Sequence, residues 1–270
     1  MDQEQSSMSN EYGINSLTVW LTGATSGIGL AVLAELVKQG HRVIATGRSR
    51  QKLDEIAAEY GPSVIPLPGD VTSIDDCRYF SEQLSSMAPI DWAILNAGTC
   101  EYMDLPDFDA ELVSRVVNTN VVGTARAIGA VLPVLRTSPR HERKPLLAVV
   151  GSSAWWFPFT RAEAYGASKA GLAYLTESLR ADLTSEGIDV SLVSPGFVRT
   201  PLTDQNDFSM PFLMEAEDAA RIMVRDLTRH KPDIHFPKRF TLMLKLMTCL
   251  PRSMRDRMAA SMARNAQETS

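Results

Sequence analysis

Paired cysteines and clustered histidines are both missing from this 270-residue sequence. The cysteines have no CxxC spacing and stand alone at Cys77, Cys100 and Cys249. The histidines have no metal-ligand spacing either, and they are His41, His141, His230 and His235. These absences argue against a disulfide framework and a metal site, and they favour a reducing, cytoplasmic location.

Long apolar runs are also missing. No stretch reaches the roughly 18 uninterrupted apolar residues of a membrane span. Residues 1–14 are polar and acidic and lack the apolar segment of a leader peptide. We therefore expect a soluble protein with a flexible N-terminus over residues 1–14.

Basic charge is scarce outside the C-terminal tail. Residues 231–270 carry eight basic and three acidic side chains, whereas residues 1–230 carry 19 basic and 29 acidic ones. The larger part of the chain is therefore acidic, and we expect no nucleic-acid partner. The tail needs an explanation of its own.

Short runs rich in Val, Ile and Leu alternate with helical patterns along most of the chain. The predicted strands are 17–23, 42–47, 63–70, 91–98, 145–153, 189–196 and 233–237, and the predicted helices are 27–39, 49–60, 73–87, 109–136, 163–186 and 215–230. Continuously apolar strands in this alternation predict an α/β fold: a doubly wound, seven-stranded parallel sheet with helices on both faces, Rossmann-like. We expect one such domain over residues 15–237.

The first predicted strand runs into the glycine-rich segment TGATSGIG, just before an apolar helix. Glycines there allow a sharp turn and a close backbone approach to a pyrophosphate at the helix N-terminus. The spacing TGxxxGxG differs from the GxGxxG fingerprint, so the turn alone is weak support for a nucleotide site. The candidate cofactor-binding residues in it are Gly23, Thr25, Ser26, Gly27, Ile28 and Gly29.

The segment EAYGASKAG places Tyr165 one helical turn before Lys169 among small residues. Both side chains therefore project from one helix face. A nearby ammonium favours the phenolate and lowers the pKa of the phenol. A lone YxxxK also occurs on ordinary surface helices, so the rest of the sequence must decide.

Three further positions are polar or small where the predicted fold gathers functional groups. Asn120 interrupts an apolar helical stripe, either as a hydrogen-bonded core amide or as a holder of water near a catalytic group. Ser152 follows the fifth strand, either as a cap or as a partner of a substrate oxygen. The segment NAG (96–98) ends the fourth strand, either as a structural turn or as a flat edge for adenosine.

The segments TGATSGIG, NAG, NVVG with Asn120, Ser152, YGASK and SPGFVRTP occur in this order over residues 15–237, and together they resemble the short-chain dehydrogenase/reductase family. The resemblance implies that Tyr165 donates or accepts a proton, that Lys169 lowers its pKa and binds the nicotinamide ribose, and that Ser152 orients the substrate oxygen. Asn120 would position a water behind the lysine. The remaining cofactor contacts that it implies are Asp70 and Val71 at adenine, Asn96, Ala97 and Gly98 at adenosine, and Pro195, Gly196, Val198 and Thr200 at the nicotinamide.

One departure from the family pattern concerns the serine. Many relatives carry a glycine three residues after it, whereas Trp155 stands there in this chain. Ser153 would fit the catalytic position if the following loop were one residue short. Trp155, Trp156 and Phe157 either line an apolar substrate pocket or pack within the subunit.

The end of the second strand indicates which nicotinamide cofactor is used. An acidic residue for a ribose 2′-hydroxyl is missing, and Thr46 occupies its place. Arg48 and Ser49 follow, and a guanidinium with a hydroxyl suits a 2′-phosphate. We therefore predict NADP(H), with NAD(H) as the alternative.

Residues 238–270 are predicted to form a basic, amphipathic helical extension, divided by Pro251. Apolar and basic side chains interleave in it, which is typical of a helix that lies on an anionic membrane. Packing over the substrate cleft or against a second subunit is equally open.

The sequence thus predicts an NADP(H)-dependent oxidoreductase that interconverts a carbonyl and an alcohol on an apolar small molecule. By resemblance we expect a homodimer or homotetramer. The alternative is a catalytically inactive, nucleotide-binding regulatory protein with the same fold.

Overall fold

The computed structural model describes residues 16–105, 107–138 and 144–267. The prediction of a flexible N-terminus falls on residues 1–14, which lie outside the described residues.

The predicted seven-stranded sheet is confirmed. Its strands are β1 (Thr18–Thr22), β2 (Arg42–Thr46), β3 (Val64–Pro66), β4 (Trp92–Leu95), β5 (Leu146–Val150), β6 (Asp189–Pro195) and β7 (Asp233–Phe236). All pair in parallel in the order β3-β2-β1-β4-β5-β6-β7. The order reverses direction beside β1, so the ends of β1 and β4 open the crevice in which such sheets bind ligands.

Helices cover both faces of the sheet. They are α1 (Gly27–Lys38), α2 (Arg50–Tyr60), α3 (Ile74–Ser86), α4 (Ala110–Val117), α5 (Thr124–Thr137), α6 (Glu163–Leu183), α7 (Ala216–Thr228), α8 (Lys238–Thr248) and α9 (Arg252–Gln267). Alternate strand residues supply the two cores: Val19 and Leu21 pack under α1, α2 and α7, whereas Trp20 packs under α3, α5 and α6.

The predicted helix over 109–136 is present over residues 110–137, but its middle is not α-helical. A π-helical turn at Asn118–Gly123 separates α4 from α5. Asn120, within this wider turn, lies fully in the interior, where its amide finds hydrogen-bond partners. Gly123 lies against Val71 from the loop after β3: a β-carbon there would be 2.9 Å from its Cγ2.

The two helices of the tail follow β7 directly, on either side of Pro251. α8 buries Phe240, Leu244 and Met247 against Trp156 and Phe157. Among the described residues, none of the helices has the length and apolar character needed to cross a membrane.

Candidate active site

The glycine-rich turn between β1 and α1 has a shape that only glycine permits. Gly23 has a φ of 66°, and a β-carbon at Gly29 would lie 2.0 Å from the Gly23 carbonyl oxygen. Ser26, the N-cap of α1, makes no side-chain capping bond within the described chain. The first amides of α1 therefore lack a side-chain acceptor from the N-cap, and the helix dipole favours an anion at this terminus. The turn fits a pyrophosphate.

The end of β4 holds this turn in place. The Asn96 amide donates to the carbonyl oxygens of Thr22 and Gly23, at 3.3 and 3.1 Å. The backbone amides of Asn96 and Ala97 both donate to the Thr22 hydroxyl, at 3.1 Å. The side chain of Asn96 thus has a structural role at the crevice, which it lines together with Gly98.

Thr46 does not occupy the place that we predicted for it. Its side chain points into the core, is 1% exposed and accepts a hydrogen bond from the Trp20 indole. The next residue, Gly47, faces the glycine-rich turn: a β-carbon there would lie 2.7 Å from Thr25 Cγ2. The prediction places Thr46 at the position of the acidic residue, but Gly47 is the residue that faces the turn. The difference of one residue matters because side chains on a strand alternate between the two faces of the sheet.

Arg48 and Ser49 lie beyond the end of β2, next to the glycine-rich turn. The Ser49 hydroxyl accepts a bond from the Lys52 amide and so caps α2. The Arg48 side chain is exposed, and within the described residues no ion pair engages it. Its guanidinium is therefore available to a phosphate.

Tyr165 lies in the first turn of α6 and faces the end of β5. Removal from solvent raises the pKa of its phenol above the ordinary value, the Cys100 thiol acts in the same direction, and a hydrogen bond with the Ser152 side chain lowers the pKa. Of the two candidate serines, Ser152 is therefore the one beside the phenol. Ser153 is buried at the start of a short 3-10 turn.

Lys169 lies one turn further along α6, as predicted. Its Nζ donates to the Val150 carbonyl at 3.0 Å and lies 5.6 Å from the centre of the Tyr165 ring. Burial lowers the pKa of this ammonium to about 8, against an opposite effect of Cys100. The net shift of the Tyr165 pKa is upward, because desolvation is the largest influence on the phenol.

Asn120 ties the loop after β4 to α6. Its Oδ1 accepts from the Thr99 amide at 2.8 Å, and its Nδ2 donates to the Thr99 carbonyl and the Ser168 hydroxyl, both at 2.9 Å. A β-carbon at Gly98 would lie 3.1 Å from Oδ1 and 3.5 Å from Lys169 Nζ, so all three residues are neighbours. The amide is fully bonded, as a buried amide must be.

The segment after β6 reaches back to the glycine-rich turn. Thr200 Cγ2 would lie 3.1 Å from a β-carbon at Gly27. Val198 is buried, and the Gly196 amide after Pro195 donates to the Phe236 carbonyl at 2.7 Å.

The other predicted contacts lie at the edges of the crevice. Asp70 Oδ1 accepts two bonds from Thr72, and Val71 is buried against the π-helical turn. The Ile28 side chain packs on the core.

The structure brings a group of residues from the loop after β4 beside Tyr165. Cys100 and Tyr102 share a hydrogen bond, and both interact with Tyr165. The Tyr102 ring contacts the Phe208 ring edge-on, with 5.4 Å between the ring centres. Burial raises the pKa of the Tyr102 phenol. The position of Cys100, two residues after NAG at the carboxyl end of β4, was the signal that could have identified it.

Arg161 joins three loops around this group. It forms ion pairs with Asp104 at 2.6 Å and Asp207 at 2.7 Å, and its guanidinium lies 5.8 Å above the Tyr102 ring. The two carboxylates come from the loops after β4 and β6. No sequence pattern marks a contact between three such distant segments.

The aromatic run after Ser152 packs within the subunit, which is one of the two roles that we proposed for it. Trp156 and Phe157 are buried under α8, so they pack within the subunit. Trp155 is half-buried, and its indole donates to the Ser194 hydroxyl at 3.3 Å.

A family model described as short chain dehydrogenase matches residues 17–209. The chain belongs to the short-chain dehydrogenase family. Members of this family oxidise alcohols or reduce carbonyls with a nicotinamide cofactor, and this short-chain dehydrogenase is such an oxidoreductase.

Two curated relatives and one solved structure illustrate the similarity. An uncharacterized oxidoreductase of Myxococcus xanthus is 35% identical over 243 residues, 88% of this chain and 94% of its own length. Serine 3-dehydrogenase of Rhizobium radiobacter is 31% identical over 188 residues, 69% and 74% of the two chains. A short-chain dehydrogenase from Sphingobium yanoikuyae in complex with NADPH is 26% identical with a TM-score of 0.74, covering 87% of this chain and 97% of its own.

Proposed function

We propose that this short-chain dehydrogenase is an NADP(H)-dependent enzyme that interconverts a carbonyl and an alcohol on an apolar small molecule, with Tyr165 as general acid and base. The observation that carries the proposal is the pairing of the Tyr165 phenol with Ser152, one helical turn from the buried ammonium of Lys169. This group lies at the same edge of the sheet as the glycine-rich turn.

Each polar side chain has a separate task in the proposed reaction. In the reducing direction, NADPH supplies the hydride to the carbonyl carbon when it is bound. Tyr165 gives its proton to the carbonyl oxygen, and the Ser152 hydroxyl donates a hydrogen bond to the same oxygen. Lys169 would bind the nicotinamide ribose and stabilise the phenolate left on Tyr165. Asn120 fixes the position of the loop after β4 relative to helix α6 through its hydrogen bonds to both.

The substrate is proposed to be apolar because a chain of aromatic contacts begins at Tyr102, which interacts with Tyr165. Tyr102 and Phe208 are in contact, and Phe197 meets Phe208 at 6.1 Å. The half-buried Trp155 lies on the side of Ser152. Such a cleft favours a flat, hydrophobic carbonyl compound.

NADP(H) is preferred over NAD(H) because Arg48 and Ser49 stand beside the glycine-rich turn and Gly47 replaces a carboxylate. The NADPH complex of the Sphingobium yanoikuyae relative supports the same choice. The extra negative charge of a 2′-phosphate would meet an exposed guanidinium.

Arg48→Ala is expected to lower kcat/KM for NADPH by ~10- to 100-fold and to leave kcat/KM for NADH nearly unchanged, since a charge-assisted bond is worth about 1.5–3 kcal/mol. Steady-state kinetics with both cofactors measure the ratio. Arg42→Ala is the control, because Arg42 is an exposed arginine at the opposite end of β2. An unchanged ratio in Arg48→Ala would contradict the role of Arg48.

The oligomeric state and the cellular location of the enzyme are part of the same proposal. Family membership supports a homodimer or homotetramer. Cys77, Cys100 and Cys249 are all free thiols, which supports a reducing, cytoplasmic location.

The rival function is a regulatory protein that binds the cofactor without catalysis. Oxidation of NADPH, followed by absorbance over a panel of aromatic ketones, aldehydes and quinones, separates the two. We expect turnover of at least one of these classes. Tight NADPH binding without turnover of any carbonyl compound would favour the regulatory protein.

A further inference from the structure

The tail formed by α8 and α9 has two apolar faces, and only one of them packs on the protein. The inner face buries Phe240, Leu244 and Met247 against the aromatic residues after Ser152. The outer face carries Leu242, Met243 and Leu246, which are 55%, 43% and 71% exposed, and it continues on α9 with exposed Met254 and Met258. Large apolar side chains at such exposure in one short segment mark an interaction surface.

Basic side chains surround this outer face. Over residues 238–261 they are Lys238, Arg239, Lys245, Arg252, Arg255 and Arg257, against one carboxylate at Asp256. Within the described part of the chain no ion pair engages any of the six. Lys245 lies over the Trp156 ring at 4.8 Å and Arg255 is half-buried, so the exposed Lys238, Arg239, Arg252 and Arg257 are the side chains available to an anionic partner.

We propose that the outer face of the tail docks on an anionic lipid bilayer. Leu242, Met243 and Leu246 enter the boundary between headgroups and acyl chains, and Arg239 and Arg257 bind the lipid phosphates. The sequence left three occupants open for the tail. The inner face packs within the subunit, and the outer face has the chemistry of an interfacial helix.

Charge argues against a second copy of the chain on this face. In a symmetric dimer the same patch would face itself, so two basic tails would be brought together. Residues 231–270 carry eight basic and three acidic side chains, and like charges opposed in this way lower affinity. An anionic surface complements the tail, whereas the other 230 residues, with 29 acidic and 19 basic side chains, are repelled by it.

Docking of the outer face would place α8 between the lipid and the aromatic cluster that this helix covers. The cluster under α8 includes the half-buried Trp155 and Phe197, and Phe197 contacts Phe208 at the cleft. Docking does not require catalysis. A failure of the docking test would therefore leave the proposed function unaffected, and the reverse also holds.

Co-sedimentation of the full chain with vesicles tests the proposal. We expect binding to phosphatidylcholine vesicles that contain phosphatidylglycerol and little binding to phosphatidylcholine alone. The double variant Leu242→Gln/Leu246→Gln should reduce partitioning at least tenfold, and Arg239→Gln should reduce it by ~fivefold at low salt. Ile74→Gln is the matched control, since Ile74 is 58% exposed on α3, and it should bind like the wild type.

Two results would overturn the proposal. One is a wild-type chain that stays in the supernatant with anionic vesicles, and the other is a double variant that pellets as well as Ile74→Gln. Sedimentation velocity without lipid tests whether a second copy of the chain covers the outer face instead. If the double substitution converts a larger species into a smaller one, the outer face is an interface between copies. Unchanged NADPH binding by the variants verifies their fold independently of turnover.

Discussion

Tyr165→Phe is expected to lower kcat by about a thousandfold, within the range for loss of a general acid. The substitution removes one oxygen and keeps the ring under Lys169, so the helix and the crevice should be unchanged. NADPH binding should therefore persist while carbonyl reduction nearly stops. Single-turnover measurement of NADPH oxidation gives the chemical step directly, and fluorescence titration gives the cofactor affinity.

Tyr102→Phe is the matched control, because the structure places a second phenol beside the first. It should change KM for the substrate more than kcat. If Tyr102→Phe were the variant that stopped turnover and Tyr165→Phe retained activity, Tyr102 would be the proton donor and the proposed mechanism would be wrong.

The two neighbouring serines provide an internal comparison. Ser152→Ala should lower kcat by about a hundredfold, because Ser152 is the hydroxyl that interacts with the phenol. Ser153→Ala should be close to the wild type. A larger loss in Ser153→Ala would assign the substrate oxygen to Ser153.

The sheet and the crevice could be predicted from the sequence because both are local patterns. Continuous apolar runs such as the one ending at Thr22 specify buried parallel strands, and each is followed by the small residues that a ligand crevice needs. Tyr165 and Lys169 could be predicted to share a face because four residues make about one helical turn.

The π-helical turn could not be predicted, because it adds only a fraction of a residue to each turn. The apolar stripe through Val116, Asn120 and Ala127 fits one regular helix nearly as well. What decides the geometry is tertiary: the Asn120 amide must reach Thr99 and Ser168 at the same time.

The error at Thr46 and the omission of Arg161 have different causes. The end of a strand is uncertain by one residue, and a shift of one residue turns a side chain from the crevice to the core. Arg161 depends on Asp104 and Asp207, which lie in separate loops, and their meeting follows only from the order of the strands.

The pKa of Lys169 leads to a prediction in which activity and stability change in opposite directions. Lys169→Met should lower kcat/KM with NADPH by about a hundredfold, because the ammonium would no longer bind the ribose or balance a phenolate on Tyr165. The same variant should be more stable at pH 7. A pKa lowered to about 8 in the folded protein means that burial of the ammonium costs ~3 kcal/mol relative to the ordinary lysine. Loss of the bond to the Val150 carbonyl offsets about 1 kcal/mol of the gain.

The sign of the pH dependence follows from the direction of that shift. Below pH 8 both the folded and unfolded wild type carry the proton, and the folded state bears the full cost of the buried charge. Above pH 8 the folded protein releases the proton first, so the wild type gains stability until the unfolded lysine also titrates. The advantage of Lys169→Met, about 2 kcal/mol at pH 7, should therefore shrink by pH 10 in urea unfolding. Lys52→Met, at an exposed lysine on α2, should show neither effect. Equal stability of Lys169→Met and wild type at pH 7 would mean that the ammonium is solvated or paired. Burial would then not be the cause of a lowered Lys169 pKa.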